Sequence, residues 1–398
     1  MLLNRTGHWD QAAELAQRLL AVVPPDSMVP RCELYFNLAY AQLRLGHISD
    51  AATSMNAFDQ ACASLPPNHS LRVAAGQVRA ELGPHAPVTP PVADDGFWQT
   101  ADPTTVGVDA DALERHRALC EQSGADACVV VRRGKIVQEW YSPRFHTPAM
   151  AMSSTKSVTG LLVGMLLDEG KIPSLGTPVC QYLAQWCAGD KAHVTLTHLL
   201  TMTSGLPRMY AEGVGSVSDK DPFVVALPLA ATPGTTWAYS NEGVQLLSPI
   251  LDKAAGEPIQ DYAHRRLFEP LGMRETRLHL DERAHAWTYA DMETTPRDFA
   301  RLGVLMLNRG VWQGRRVVSE AWVQRSTEPS QDLNRQYGLL WWLIEAPQGY
   351  AARGYLDTNL YVFPAQELVV VRMQSRPVAG SIPYEPAALH LLAELVHP

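Results

Sequence analysis

A serine followed three residues later by a lysine is the pair of side chains in this sequence with the clearest chemical meaning. Ser153 lies at the start of a predicted helix that runs to Glu169, and Lys156 falls on the same face one turn later. A serine hydroxyl needs a neighbouring base before it can attack a carbonyl carbon, and a buried amine can serve as that base. Backbone N–H groups at the helix start point towards the oxyanion that such an attack creates. We therefore expect Ser153 to become acylated and Lys156 to move its proton.

The same two residues also fit a simpler arrangement, in which the serine caps the helix and the lysine is solvated. The helix argues against that arrangement because it is apolar on almost every side. Its apolar residues are Val158, Leu161, Leu162, Val163, Met165, Leu166 and Leu167. A helix with such a surface is buried, which predicts a buried Lys156.

A tyrosine and an asparagine form the second chemical pattern, Tyr239-Ser240-Asn241, which stands between a Pro-Gly turn and an apolar helix. In one interpretation Asn241 caps that helix and Tyr239 packs as an ordinary aromatic side chain. In the other, the phenol of Tyr239 carries a proton to the leaving group, and Asn241 donates a hydrogen bond to the substrate carbonyl. The presence of Ser153 and Lys156 favours the second interpretation.

The pattern Ser153-x-x-Lys156, followed about 85 residues later by Tyr239-x-Asn241, resembles a known group of serine hydrolases. This group contains class C β-lactamases, D-alanyl-D-alanine peptidases and family VIII carboxylesterases, and it includes 6-aminohexanoate-dimer hydrolases. Five further phrases typical of the group stand in the expected order, at Gly134–Tyr141, Val194–Gly205, Pro233-Gly234, Pro270–Met273 and Asp298–Gly303. The resemblance covers roughly residues 96–396. It implies an acyl-enzyme mechanism in which Ser153 attacks, Lys156 and Tyr239 move protons, and water completes the hydrolysis.

The resemblance also implies a third element, a Lys-Thr-Gly or His-x-Gly stretch on the strand that borders the cleft. The corresponding stretch here runs from Arg353 to Thr358, with Tyr355 in place of the cationic or imidazole side chain and Asp357 in place of the glycine. We expect Tyr355, Asp357 and Thr358 to contact the substrate, with the backbone N–H of Thr358 as a second donor to the oxyanion. The carboxylate of Asp357 disfavours carboxylated substrates such as penicillins, unless Arg353 pairs with it or compensates for it.

These residues favour a serine esterase or amidase that acts on a small-molecule ester or amide. Two alternatives stay open: a protein of the same fold that has lost turnover and binds a partner, and a D-alanyl peptidase or β-lactamase. The sequence contains no Gly-x-Ser-x-Gly motif, which leaves an α/β-hydrolase without support. It also contains no recognisable spacing of metal ligands or cofactor-binding residues, so we expect no metal and no cofactor.

The chain divides into three predicted regions. Residues 1–82 have helical periodicity, and a phrase that begins at Gly7 returns at Gly46, 39 residues later, as in a loose tetratricopeptide-like repeat. A plain helical hairpin is the alternative. Residues 83–95 are rich in proline and predict a linker, and residues 96–398 form the predicted hydrolase domain. We expect the helical region either to bind a protein partner or to pack within the molecule.

Within residues 96–398, predicted strands stand at both ends and predicted helices lie between them. Two β-rich runs around Arg133-Gly134 predict a hairpin, and strand character returns in Gly338–Ile344, Leu360–Phe363 and Leu368–Gln374. Strands so far apart in the chain must pair across the inserted helices. This predicts an α+β fold, an antiparallel sheet flanked by helices with an inserted helical subdomain.

The six cysteines are too few to predict a disulfide framework in a chain of 398 residues. Cys180 and Cys187 lie seven residues apart in a predicted helix and share one face of it. Two buried thiols are the preferred interpretation, because free cysteine is among the residue types most often buried.

Charge and hydropathy exclude several classes of partner. A net charge of -8 and a pI near 5.9 argue against a surface for nucleic acid or for an anionic membrane. No apolar run reaches the roughly 18 residues that a membrane-spanning helix needs. The first residues lack the apolar core and cleavage site of a secretory signal, which favours the cytoplasm, or the periplasm if a signal has been lost by truncation.

Overall fold

The computed structural model describes residues 9–24, 27–45, 48–65, 70–82, 96–145, 148–209 and 213–396. The chain divides into two compact units. One comprises the described residues before 94 together with Trp140–Phe145, and the other comprises the remainder. The predicted linker and the two glycine-histidine phrases of the predicted repeat lie outside the described residues.

The first unit contains helices at α1 Trp9–Val22, α2 Met28–Arg44, α3 Ile48–Ala61 and α4 Ser70–Leu82. Ala39, Ala51 and Ala75 are completely buried, and their small side chains let the helices approach closely around Phe58, which is also buried. Helices were predicted for this region, and they are confirmed. Their relation to a tetratricopeptide-like repeat stays a prediction.

The second unit contains the remaining strands and helices, apart from the last two residues of β2, which belong to the first unit. Its strands are β1 Ala127–Arg132, β2 Lys135–Tyr141, β3 Ala149–Met150, β4 Glu293–Thr294, β5 Val311–Trp312, β6 Arg315–Arg316, β7 Trp342–Ile344, β8 Gly349–Arg353, β9 Asn359–Phe363 and β10 Leu368–Met373. Its helices are α5 Ala110–Gln122, α6 Thr155–Asp168, α7 Leu196–Leu200, α8 Lys220–Ala226, α9 Asn241–Gln245, α10 Leu247–Ala255, α11 Ile259–Ala263, α12 Pro296–Leu307, α13 Glu320–Ser326 and α14 Glu385–Glu394. Among the described helices of both units, none is long and apolar enough to cross a membrane.

Six strands form one sheet in the order β2-β1-β10-β9-β8-β7. At its centre β1 and β10 pair in antiparallel register, from Ala127 opposite Met373 to Arg132 opposite Leu368. Every residue of these two strands is buried, because helices pack on both faces of the sheet. The strands of the two chain ends thus pair across the inserted helices, and the predicted α+β fold is confirmed.

Two glycines let helices approach their neighbours closely. A Cβ atom at Gly303 on α12 would overlap the side chain of Val369 on β10, and a Cβ atom at Gly164 on α6 would overlap the ring of Trp322 on α13. The helix α6 is buried on every side along nearly its whole length. The predicted burial of Lys156 is confirmed, because the residue is only 2% exposed.

The stretch that the resemblance places on the cleft strand is only partly a strand. β8 ends at Arg353, and Tyr355–Asp357 form a turn of 3-10 helix. Within that turn Leu356 has φ 59° and Asp357 has φ 55°, which are left-handed values that interrupt an extended chain. Sequence pattern could not reveal this turn, because leucine rarely adopts such a conformation.

The prediction for the cysteines was wrong, because all six are paired in disulfides: Cys32 with Cys62, Cys120 with Cys128, and Cys180 with Cys187. Cys180 and Cys187 belong to two successive short turns and not to one helix, and Cys187 is exposed. The turns bring their Cα atoms to 4.8 Å from each other. A spacing of seven residues fits one face of a helix equally well, so the sequence did not distinguish the two arrangements.

Candidate active site

Ser153 lies in a tight turn immediately before α6. The turn is a short 3-10 helix, Met152–Ser154, and Met152 has a left-handed backbone with φ 51°. The N–H of Asp291 donates to the carbonyl oxygen of Met152 at 3.1 Å, which ties the turn to a distant segment of the chain. Ser153 is partly exposed, whereas the helix behind it is buried. The nucleophile predicted from the sequence is therefore accessible.

The amine of Lys156 has three hydrogen-bond partners in a nearly dry position. Its Nζ lies 3.1 Å from Oγ of Ser153, 2.8 Å from Oδ1 of Asn241 and 2.6 Å from the carbonyl oxygen of Tyr289. Within the part of the chain that the structure describes, no carboxylate lies at ion-pair distance from Lys156. The amine is thus positioned by neutral groups.

The three partners of Lys156 differ in what they can do. The oxygens of Asn241 and Tyr289 can only accept, so each takes a hydrogen bond from the amine. The hydroxyl of Ser153 accepts from the amine at 3.1 Å, and it is the one partner that can also donate.

Tyr239 lies beside the same amine. The centroid of its ring is 4.8 Å from Nζ of Lys156, and the ring stacks on Trp342 with centroids 6.0 Å apart. Trp342 in turn contacts Tyr337 edge to face. Burial raises the pKa of Tyr337 well above its ordinary value, and the neighbouring phenol of Tyr239 adds to that effect. Tyr337 therefore stays neutral and supports the stack, while Tyr239 is the phenol that adjoins Lys156.

Asn241 is available for chemistry because another residue caps its helix. Ser240 is the N-cap of α9, and its hydroxyl oxygen accepts the N–H of Gly243 at 3.0 Å. The interpretation in which Asn241 caps the helix is therefore wrong. With Oδ1 bound to Lys156, the amide NH₂ group of Asn241 remains to donate a hydrogen bond.

The turn that follows β8 packs directly against the turn that holds the nucleophile. The hydroxyl of Ser154 donates to the carbonyl oxygen of Thr358 at 2.6 Å. Gly354 is required at this contact, because a Cβ atom there would lie 2.9 Å from the carbonyl oxygen of Ala151 and 3.0 Å from Cβ of Met152. The stretch predicted to border the cleft does lie beside Ser153.

The four side chains predicted in this stretch have different surroundings. Tyr355 is 68% exposed. Thr358 is buried, and its N–H donates to the carbonyl oxygen of Tyr355 at 3.3 Å, so this N–H is occupied within the turn. Arg353 forms its ion pair with Glu385 at 2.8 Å and not with Asp357. The carboxylate of Asp357 acts electrostatically on the guanidinium of Arg372 and favours its charged form. The roles of Tyr355, Asp357 and Thr358 towards a substrate stay predictions.

A buried lysine, Lys220, anchors the loop of residues 213–219 that precedes α8. Nζ of Lys220 donates to the carbonyl oxygens of Val214 at 3.0 Å and Val217 at 2.7 Å, and it lies 4.1 Å from the ring centroid of Trp287. Burial lowers the pKa of Lys220. The side chain of Glu242, also buried, accepts the N–H of Val214 at 3.3 Å. The described part of the loop is thus held from two sides.

Two groups in the site were not anticipated from the sequence. The carbonyl of Tyr289 contacts Lys156, but a backbone carbonyl carries no signal in the residue type. Asp291 has φ 60° and a half-buried carboxylate, and burial raises its pKa, whereas nearby His279 and Lys156 oppose that shift. The short polar side chain of aspartate tolerates a left-handed backbone, and in the sequence only this tolerance could have pointed to Asp291.

One cluster of possible metal ligands was also missed. Ligand atoms of Asp219, Asp281 and His285 lie within 4.8 Å of one another. Asp281 already accepts the backbone N–H groups of Lys220, Arg283 and His285, so its oxygens serve as a loop anchor. The cluster therefore has a structural explanation that does not need an ion.

The sheet, the inserted helices and the serine that precedes a buried helix define the class of β-lactamase-like serine hydrolases. A family model described as Beta-lactamase matches residues 111–394 of the chain. The chain belongs to this family.

Curated relatives of the chain are hydrolases. It is 25% identical over 298 residues to a 6-aminohexanoate-dimer hydrolase of Paenarthrobacter ureafaciens, and the aligned stretch covers 65% of this chain and 74% of that protein. It is 30% identical over 213 residues to Esterase EstB of Burkholderia gladioli, and the aligned stretch covers 44% of this chain and 54% of that protein. The chain is accordingly a hydrolase of the β-lactamase family.

Solved structures share the fold. A family VIII carboxylesterase superposes with a TM-score of 0.60 at 16% identity, over 72% of this chain and 98% of that one. A penicillin-binding protein from Bacillus halodurans superposes with a TM-score of 0.57 at 18% identity, over 70% of this chain and 99% of that one. At these identities the likeness describes the fold alone.

Proposed function

We propose that the chain hydrolyses small esters or amides through an acyl-enzyme intermediate on Ser153. One observation carries the proposal: the amine of Lys156 is bound by two acceptor-only oxygens and by the one hydroxyl that can give it a proton. A helix cap and a solvated lysine would not need this arrangement. The relatives that are named as esterase and as dimer hydrolase support the same type of reaction.

The reaction proceeds in two halves. In the first, Oγ of Ser153 bonds to the substrate carbonyl carbon while its proton passes to Lys156. The NH₂ group of Asn241 donates to the substrate carbonyl, and the N–H of Ser153 at the helix start stabilises the oxyanion. The bond to the leaving group then breaks, Tyr239 gives its phenol proton to the leaving group, and Lys156 passes the proton that it took from Ser153 to Tyr239. In the second half, water cleaves the acyl–oxygen bond, which releases the acid and restores Ser153.

The test begins with a fluorophosphonate probe, which labels an activated serine covalently. We expect the wild-type chain to be labelled and to hydrolyse short-chain p-nitrophenyl esters, and Ser153→Ala to do neither. Ser157→Ala is the matched control, because Ser157 lies on the same helix and donates to the carbonyl oxygen of Leu340. It should keep both activities.

Other outcomes would point to the alternatives. A folded wild-type chain that is neither labelled nor active on any ester or amide of a substrate panel would contradict the proposal and favour a binding protein. Turnover of nitrocefin faster than of the esters would favour a β-lactamase. We expect slow nitrocefin turnover, because Tyr355 stands where relatives of the β-lactamase kind carry a cationic or imidazole side chain.

A separate observation supports a proposal about the compartment. The sequence favoured the cytoplasm, but disulfides persist mainly in oxidising compartments, and this chain pairs all six of its cysteines. We therefore propose that the protein works outside the reducing cytoplasm.

A further inference from the structure

Arg372 on β10 is buried so completely that only 1% of the residue is exposed. Among the described residues it has no carboxylate at ion-pair distance, and its guanidinium donates to neutral oxygens. Nη2 donates to the carbonyl oxygen of Ser123 at 2.8 Å, and Nη1 donates to the carbonyl oxygens of Leu356 at 2.6 Å and Asp357 at 3.1 Å. The carboxylates of Asp357 and Asp126 act on Arg372 only from beyond ion-pair distance, and burial of a cation without an ion-pair partner is unfavourable, so the neutral contacts of Arg372 need an explanation.

The two carbonyl groups that Nη1 binds belong to Leu356 and Asp357, the two residues of this turn that have left-handed backbone conformations. Neither Leu356 nor Asp357 is a glycine, and a leucine gains no local hydrogen bond that would favour this conformation. Such a strained turn persists only when its surroundings hold it in place. The guanidinium of Arg372 does so by binding both carbonyl oxygens with one nitrogen.

The turn that Arg372 holds, Tyr355–Asp357, also forms the wall of the site beside Ser153. Thr358, directly after the turn, accepts the hydroxyl of Ser154, and Gly354, directly before it, packs on Ala151 and Met152. A shift of the turn would therefore move the residues on both sides of Ser153.

We propose that Arg372 is a positioning residue, which holds Leu356 and Asp357 in their left-handed conformation and thereby fixes the wall of the site beside Ser153. The inference rests on the proposed hydrolase function. Arg372 contacts the turn and not the substrate, so it acts through the geometry of the site.

The test compares Arg372→Met with a matched control, Arg132→Met. Arg132 is 5% exposed, lies on the neighbouring strand β1 and donates to the carbonyl oxygen of Gln366, in a turn at the opposite end of β10. Both variants lose a buried guanidinium that binds a turn. We expect both to unfold at lower temperature, but only Arg372→Met to lose kcat/KM on p-nitrophenyl acetate, by about 10- to 100-fold.

A rescue experiment separates positioning from a general loss of structure. Glycine adopts left-handed conformations without strain. We expect the substitution Leu356→Gly, added to Arg372→Met, to restore most of the lost kcat/KM. If Arg372→Met does not fold, Arg372→Lys takes its place, because a lysine keeps the charge but lacks the planar fork that spans two carbonyl groups.

Hydrogen exchange gives a readout that does not need activity. The backbone amides of residues 355–358 and 152–154 should exchange faster in Arg372→Met than in the wild type, with no change there in Arg132→Met. If the wild type is neither labelled nor active, the proposed function fails, and the exchange still decides the inference. Equal losses of kcat/KM in the two variants, or unchanged exchange in Arg372→Met, would overturn it.

Discussion

The amine of Lys156 has three neighbours, and only one of them carries a proton that it can take. Asn241 and the carbonyl of Tyr289 accept hydrogen bonds from the amine, so the proposed proton transfer depends on the contact with Ser153. The ring centroid of Tyr239 lies 4.8 Å from the same amine. At the scale of single residues, the proposed base is therefore held in place by hydrogen-bond acceptors.

This geometry predicts the result of Lys156→Arg. An arginine keeps the positive charge and several N–H donors, but it does not give up a proton in proteins, so it cannot act as the base. We expect kcat/KM on p-nitrophenyl esters to fall by about 10²- to 10⁴-fold, the usual contribution of general acid–base catalysis.

Lys171→Arg serves as the control, because Lys171 is partly exposed and pairs with Glu169 at 3.4 Å. It should leave kcat/KM unchanged. A Lys156→Arg variant that keeps a tenth or more of the wild-type rate would show that Lys156 is not the base.

At the scale of secondary structure, α6 carries Lys156 and directly follows the turn that holds Ser153, so the packing of α6 against the neighbouring helix affects the position of both residues. Gly164 allows that packing, because the ring of Trp322 occupies the space that a side chain would need. The capping of α9 by Ser240 has a similar effect on Asn241. The elements thus deliver the functional side chains to one place, although 85 positions separate Lys156 and Asn241 in the chain.

Gly164→Ala is predicted to destabilise the fold. The added methyl group overlaps Trp322, and such overpacking costs about 1–3 kcal/mol of the free energy of unfolding. Gly76→Ala on α4 is the matched control, because a Cβ atom there meets nothing within 4 Å and alanine favours a helix by up to about 1 kcal/mol. Unfolding in urea, followed by circular dichroism, measures both. A Gly164→Ala variant as stable as the wild type would mean that the two helices can separate freely.

At the scale of the whole molecule, the stability of the fold is expected to depend on pH through a buried histidine, His116. His116 on α5 contacts Gln138 at 3.0 Å and Tyr384 at 2.8 Å, and burial lowers the pKa of His116 from 6.5 to about 4. The folded chain therefore favours the neutral ring. Its contribution to stability is complete above pH 6.5 and is lost as the pH falls from 6.5 towards 4, because the unfolded chain takes up the proton first.

We expect His116→Gln to reveal this contribution. Between pH 6.5 and 4 the wild type should lose up to about 3 kcal/mol of unfolding free energy relative to the variant. Buried carboxyl groups act in the opposite direction, as at Asp221, where burial raises the pKa to about 6. Both proteins share that effect, so it cancels in the difference. The exposed His390 provides the control His390→Gln, and a difference that does not change with pH would refute the assignment.

The sequence by itself predicted a nucleophile, a base and the class of fold, and of these the class of fold is confirmed. Residues three apart on a helix meet because the helix geometry brings them together, so Ser153 and Lys156 could be paired from their spacing alone. The β-rich runs near the two ends could only pair with each other, which required the inserted helices of the α+β fold.

Only the tertiary structure decided the rest of the site. The carbonyl of Tyr289, the left-handed turn at Leu356 and Asp357, and the pairing of Arg353 with Glu385 depend on contacts between segments far apart in the chain. Backbone carbonyls are alike in every residue, and a left-handed leucine is held by its surroundings and not by its own preference. The spacing of residues in the sequence therefore identifies the groups that meet within one helical turn. Tertiary packing determines which groups from distant segments of the chain complete the site.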